Sequence, residues 1–250
     1  VELRRKNLIA ARAMPKKTPL GYFYDVGEFE QCMDMALEMI DWNGFAARRE
    51  TSRAKGLLRG IALTNPIERA ASPGFEYAEI RFDVRGKATV LMGSKNQGQG
   101  HETTFKQILG THLGLAPKDI HYVDGDTDRV AFGVGTFGSR SAATGGSALL
   151  LAARKVIDKG KRIAAHLLEA ADADIAFAGG RFTIAGTDRG LSIREVARAS
   201  FAFAALPRGI EPGLFESATF APVQETFPNG THVCEVEVDP ETGTLSLERY

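Results

Sequence analysis

The sequence predicts an α+β protein, with mixed sheets and packed helices that include one long helix. Three observations carry this reading. Ala78, Ile80, Phe82 and Val84 alternate with polar residues, Arg85-Gly86 reads as a tight turn, and Ala88, Val90 and Met92 alternate again, which is a hairpin. His101, Phe105, Ile108, Leu109, His112 and Leu113 then recur at helical spacing until Gly114 and Pro117 end the run. Leu149, Ala153, Val156, Ile157, Gly160, Ala164, Leu167 and Leu168 form a longer apolar stripe. Roughly thirty residues at ~1.5 Å each would reach about 45 Å, more than a typical domain helix.

The remaining elements follow in order. Residues 1–13 read as the end of a helix, and 28–42 as an amphipathic helix carrying Met33, Leu37 and Ile40. Segments 56–65 and 119–124 have strand patterns, and 175–177 with 181–184 make a small hairpin around Gly179-Gly180. Ser192 starts a further helix as its cap. Residues 209–228 hold three prolines and little periodicity, so they bridge, with one strand pattern at 216–221. Val236, Val238, Leu245 and Leu247 alternate around the turn 240–243, a last hairpin. There is no internal repeat and no low-complexity tract, and a weak boundary falls near 93–100.

Composition excludes several function classes. The chain has 250 residues, 44% of them hydrophobic, enough for one large or two small cores. Lys+Arg and Asp+Glu balance at 31 each, so no broad attraction to nucleic acid or an anionic membrane is expected. No apolar run approaches the ~20 residues of a membrane span. The opening Val1-Glu-Leu-Arg-Arg-Lys is not a secretory signal, so a cytoplasmic setting is expected. Cys32 and Cys234 are isolated; without a Cys-x-x-Cys pair neither zinc nor iron–sulfur is written here, and reduced thiols are favoured over a disulfide.

The chemistry concentrates in two loops. Gly93-Ser-Lys-Asn-Gln-Gly-Gln-Gly-His-Glu-Thr-Thr104 runs from a strand pattern through glycines into a helix. The first N–H groups of a helix lack internal partners and carry partial positive charge, which suits phosphate or pyrophosphate. Three stock motifs fail here. A nucleotide P-loop needs Lys where Gln99 stands, a dinucleotide fingerprint needs Gly where Thr103 stands, and a zinc-protease helix needs His where Phe105 stands. One such loop is equally well explained as an ordinary turn. A second one, 133–147, follows Gly125-Asp-Thr-Asp128 and offers Ser139, Ser141, Thr144 and Ser147 together with Arg140. Arg140 suits bidentate phosphate contact, or it caps or salt-bridges a neighbour. Two glycine–hydroxyl helix starts suggest one extended anion held between them.

Other titratable residues have plainer readings. The spacing of His112 and His121 from His101 fits no metal template. Asp124, Asp126 and Asp128 are not an EF-hand, whose sixth and twelfth positions here hold Arg129 and Gly135; these carboxylates cap turns or fix the second loop. Lys16-Lys17 and Arg48-Arg49 read as solvated surface.

Gln97-Gly-Gln-Gly-His-Glu-Thr-Thr104, Gly125-Asp-Thr-Asp128 and Gly135-Thr-Phe-Gly-Ser-Arg-Ser141 resemble the large subunit of molybdenum hydroxylases, which include xanthine dehydrogenase, aldehyde oxidase and aerobic carbon monoxide dehydrogenase. The wording is most similar to the carbon monoxide dehydrogenase-like bacterial branch. Glu2-Leu-Arg-Arg-Lys-Asn-Leu-Ile9 and Cys234-Glu-Val-Glu-Val-Asp-Pro-Glu-Thr-Gly243 also resemble family segments in matching order, so the likeness covers nearly the whole chain.

The resemblance implies a molybdenum-cofactor-binding architecture, with 1–96 part of a first subdomain and 97–250 part of a second. It implies that Gln97, Gly98, Gln99, Gly100, His101, Thr103 and Thr104 contact the pterin and pyrophosphate of a molybdopterin cytosine dinucleotide, Gln99 giving its amide to the pterin side. Gly138, Ser139, Arg140, Ser141 and Thr144 would close on the same ligand. It further implies iron–sulfur and FAD subunits as partners, a dimer of heterotrimers and a small-molecule substrate.

Family members are several times longer. Their upstream Gly-Gly-Gly-Phe-Gly-type loop, the active-site loop near it and their downstream glutamate base are not in these residues, so no catalytic residue and no protein ligand to the metal is assigned. Val1 is not a start methionine and Tyr250 ends the second strand of an open hairpin, so the expectation is a piece that is inactive by itself and free of molybdenum. The alternative is a non-catalytic phosphate- or nucleotide-binding scaffold. The substrate-selecting loops lie outside the sequence.

Overall fold

In the computed structural model, which describes residues 1–71 and 74–250, all three expected hairpins and the long helix form. The helices are α1 (Glu2–Asn7), α2 (Phe29–Met39), α3 (Phe45–Ala54), α4 (His101–Leu113), α5 (Gly146–Leu168) and α6 (Ile193–Ala199). The strands are β1 (Lys16–Lys17), β2 (Phe23–Tyr24), β3 (Leu58–Thr64), β4 (Glu76–Phe82), β5 (Ala88–Met92), β6 (Ile120–Asp124), β7 (Ile175–Ala178), β8 (Arg181–Ile184), β9 (Gly190–Ser192), β10 (Phe215–Phe220), β11 (His232–Val238) and β12 (Leu245–Arg249).

The chain forms two compact units, one of residues 1–70 with 225–250 and one of residues 71–224. The expected boundary near residue 96 therefore lies inside the second unit. The physical reason is pairing across it: β5 and β6 lie parallel, Met92 opposite Asp124, with α4 as the crossover between them.

In the first unit a three-stranded antiparallel sheet runs β12-β11-β3. Met33 and Ile40 of the α2 region close over Leu63 and Val233 as a small core. Val233 and Glu235 share one sheet face because side chains alternate along a strand. Glu235 is thus buried, and Arg48 (2.8 Å) and Arg59 (2.6 Å) neutralise it. Those two guanidiniums, by hydrogen bond and charge, hold its carboxyl below the usual range against the opposing effect of burial. Arg48 is therefore not the solvated surface residue expected; α3, absent from the sequence reading, carries it inward to Glu235. Arg49, Lys16 and Lys17 are exposed.

In the second unit the sheet runs β10-β4-β5-β6, with β10 antiparallel on β4. The strand pattern at 216–221 is thus a member of the main sheet. Its core face presents Ala78, Ile80, Phe82, Ala88, Val90 and Met92, covered by Phe105, Leu109 and Leu113 of α4 and by Leu149, Ala153 and Val156 of α5. Each fully buried Leu, Ile, Val, Met or Phe in it is worth about 1.5–3 kcal/mol of apolar transfer. Val84, expected in the alternation, sits exposed in the Asp83–Lys87 turn. A π-turn, Ser141–Gly145, leads directly into α5, giving a continuous helical run of 28 residues. β7-β8-β9 form a separate small sheet whose Phe182 lies against Gly160 of α5, a contact that leaves no room for a Cβ there.

Candidate functional site

Three strand ends meet at one end of the second unit's sheet. Met92 and Asp124 are register partners in parallel strands, and Gly93, just beyond β5, donates its N–H to Tyr77 O of β4 (2.9 Å). Glu76, which opens β4, therefore lies beside the ends of β5 and β6. Both glycine loops emerge there. They are tied together: Lys95 N–H donates to Thr136 Oγ1 (2.9 Å) and the Thr136 hydroxyl donates back to Lys95 O (2.6 Å). A Cβ on Gly133 would run into the Gly93 backbone, so the loops touch main chain to main chain.

The first loop hangs on Asp124. Its Oδ2 accepts the Asn96 N–H (2.6 Å) and the Tyr122 hydroxyl (2.9 Å). Burial first, then Asp124, pushes the Tyr122 phenol well above its ordinary value, so that hydroxyl is a fixed donor. Asp124 was expected to cap a turn or fix the second loop; it fixes the first. Asp126 does cap a turn, accepting from Asp128 N–H (3.1 Å).

Gly98 (φ 109°) and Gly100 (φ 80°) take left-handed backbone that side chains disfavour, and a Cβ at either would meet only open space. Gln97, Gly98, Gln99, Gly100, Thr103 and Thr104 are exposed, and Gln99 turns its side-chain oxygen to the Gln97 N–H. Asn96 Oδ1 accepts from His101 N–H (3.4 Å), and Thr104 N–H starts the helical ladder at Gly100 O (3.2 Å). The N–H groups of Glu102 and Thr103 find no acceptor among the described residues. The Thr104 hydroxyl turns back to the same Gly100 O (3.3 Å), a back-bond within the first turn that satisfies none of the leading N–H groups. His101 is buried with Nδ1 unpartnered, and desolvation holds its pKa below the ordinary value although Asp124 pulls it upward.

The second loop is closed from inside. Gly138 (φ 54°) and Ser139 (φ 50°) are consecutive left-handed residues, both exposed. Arg140 is fully buried: it pairs with Glu76 (3.0 Å) and donates to Gly135 O (2.9 Å) and Phe75 O (2.6 Å). The salt-bridge alternative read from the sequence is what the fold makes of it. Ser141 is buried and donates to Thr136 Oγ1 (3.2 Å); Thr144 is buried with its hydroxyl unpartnered. Single-turn π segments such as 141–145 recur at functional sites.

Sequence reasoning missed Glu76 and Thr136. Glu76 was findable: it is in phase with Ala78, Ile80 and Phe82, and a carboxylate on a core face requires a buried partner. Thr136 gave no such signal, since its role depends on where Lys95 lies.

Five buried side-chain polar atoms of the described residues lack a partner, and four of them, on Ser94, His101, Arg140 and Thr144, belong to these loops. Such atoms cost ~1–3 kcal/mol each when unpaired. With outward N–H groups at the start of α4 and open space before Gly98 and Gly100, the residues fit a polar, anionic group laid across the loops.

Comparison with known proteins agrees with the fold. The chain belongs to the molybdopterin cofactor-binding domain family, matched over residues 35–250. It is 34% identical over 264 aligned residues to the carbon monoxide dehydrogenase large chain of Hydrogenophaga pseudoflava, covering 100% of this chain and 33% of that one. Subunit gamma of the 6-hydroxypseudooxynicotine dehydrogenase complex of Paenarthrobacter nicotinovorans is 32% identical over 254 residues, covering 100% of this chain and 32% of that subunit. Among solved structures, carbon monoxide dehydrogenase from Oligotropha carboxidovorans superposes with a TM-score of 0.89 at 33% identity, over 99% of this chain and 33% of that one. The chain thus spans about a third of the length of the relatives it matches. These relatives are dehydrogenases, and nothing among them favours the scaffold alternative. Among the described residues no helix is long and apolar enough to cross a membrane.

Proposed function

We propose that this chain forms part of the large subunit of a molybdenum-dependent oxidoreductase of the carbon monoxide dehydrogenase type, and that its two glycine loops hold a molybdopterin cytosine dinucleotide. The observation that carries the reading is the concentration of unpartnered polar atoms at the loops. The N–H groups of Glu102 and Thr103 at the start of α4 would take the pyrophosphate. Gln97, Gly98, Gln99 and Gly100 would lie along the pterin side, with Gly138 and Ser139 closing on the same ligand. Ser141, Thr144 and His101 support that surface from beneath.

When bound, this group supplies a two-electron oxidation of a small-molecule substrate; the protein supplies orientation and hydrogen bonds. Iron–sulfur and FAD subunits would receive the electrons, in a cytoplasmic dimer of heterotrimers. In this reading 1–96 and 97–250 contribute to successive cofactor-binding subdomains, although the compact units divide elsewhere.

The test uses the full-length subunit purified with its partner subunits. Molybdenum and acid-released cytidine monophosphate are expected at one per large subunit in the wild type. Gly100→Val, which puts a branched side chain into the open space before α4, should lose both. Normal molybdenum in Gly100→Val would sink the proposal.

A further inference from the structure

Arg140 is the one strong cation of the second loop, yet its guanidinium is turned inward. Glu76, 1% exposed, gathers four donors: Tyr77 N–H (3.0 Å) and Val134 N–H (3.2 Å) on Oε1, Gly135 N–H (3.1 Å) and Arg140 Nη1 (3.0 Å) on Oε2. Arg140 Nη1 also donates to Gly135 O (2.9 Å), and Nη2 to Phe75 O (2.6 Å). Both backbone groups of Gly135 are therefore held by the two halves of one ion pair. The guanidinium in addition lies over the exposed Phe137 ring, 5.1 Å from its centroid.

We propose that Glu76 and Arg140 are a positioning pair for the ligand surface of the second loop, and that Arg140 acts through the loop and not by contact with phosphate. A carboxylate is the only side chain here that can accept four donors at once, and a planar guanidinium can donate along two directions to fixed carbonyls. Together they fix 133–140 at both ends, and so determine where the left-handed Gly138 and Ser139 stand. The pair joins β4 to a loop 64 residues further along the chain. The inference rests on the cofactor reading above and adds residues to it.

The experiment is a double-mutant cycle in the full-length subunit with its partners, read as molybdenum per large subunit and as melting temperature. Glu76→Gln and Arg140→Lys should each lower molybdenum content about tenfold or more, and the double variant should fall no lower than the worse single one. Arg140→Lys keeps the charge, so a phosphate contact would survive it in large part while the fork to Phe75 and Gly135 would not. Glu235→Gln, which breaks a buried ion pair remote in sequence from the loops, is the control: matched in melting temperature, it should keep its molybdenum.

Wild-type molybdenum in Glu76→Gln with loss confined to Arg140 variants would overturn the pair. So would equal loss in Glu235→Gln, since the effect would then be stability alone. Hydrogen exchange on the unmodified subunit covers the case in which the variants do not fold: the Val134 and Gly135 amides should be protected, and exchange at the free-chain rate would overturn the pair. A wild-type complex without molybdenum would instead overturn the cofactor reading and this proposal with it, which the wild-type measurement alone reveals.

Discussion

In the first loop Gln97, Gly98, Gln99 and Gly100 face solvent, and the chain is held only at its base, by Asp124 and by the Lys95–Thr136 bonds. In the second, the charged residue is buried against Glu76, and Ser141 and Thr144 are buried too, leaving Gly138 and Ser139 outside. Both segments read alike in sequence: glycines, hydroxyls and a helix start. The difference teaches that such wording specifies a helix terminus but not what that terminus presents. An open loop offers backbone N–H groups and space, whereas a braced loop offers a shape. The glycines divide the same way. Gly98 and Gly100 serve dihedral angles, while Gly133, whose φ is ordinary, serves the close approach to Gly93.

The largest effect that sharpens this contrast belongs to Gly133→Ala. Its Cβ meets backbone that cannot give way, so a loss of about 3 kcal/mol is expected by urea denaturation, at the upper end of overpacking costs. A change below half a kilocalorie would mean that the loops do not touch as described. Gly98→Ala should cost less, about 1–2 kcal/mol, because it meets only the left-handed backbone penalty and open space. If the two substitutions cost the same, the division of the glycines into two kinds is wrong.

A smaller effect concerns pH. Burial holds the His101 pKa below its ordinary value, so the unfolded chain binds a proton more readily than the folded one. Its contribution to stability is therefore complete above about pH 6.5 and declines as pH falls below that value. His101→Gln should flatten the melting-temperature profile between about pH 7 and 5 relative to wild type. Parallel profiles would show that the ring is solvated. Smallest of all, Thr104→Val removes an exposed back-bond to Gly100 O and should change stability by no more than about 0.5 kcal/mol. Loss of molybdenum in that variant would give the hydroxyl a ligand role beyond this local bond.

Much of the fold was legible because its signals are local. Alternation at Ala78–Phe82 and Ala88–Met92, the helical spacing of Phe105, Leu109 and Leu113, and the Ser192 cap each fix an element from neighbours a few residues away. α3 was missed because its residues, from Phe45 to Ala54, carry no apolar stripe; tertiary ion pairing through Arg48 gives it an inward face. The strand at Phe215–Phe220 was read as part of a bridging stretch because its membership in the sheet depends on β4, far earlier in the chain. At the candidate site, the loop residues were visible from glycine and hydroxyl wording, and the Arg140 alternatives could not be decided without knowing what lay opposite.

By itself, then, the sequence determined the strand and helix types, the places where chain direction changes, and the family to which the glycine loops belong. Periodicity, turn chemistry and motif wording are properties of adjacent residues. Tertiary structure decided which groups face outward. The pairing of Met92 with Asp124 brings two loops to one end of a sheet, and the buried contact of Glu76 with Arg140 turns a cation inward. A charge is exposed or buried according to what the fold places beside it, and a partner 64 residues away leaves no trace in local spacing.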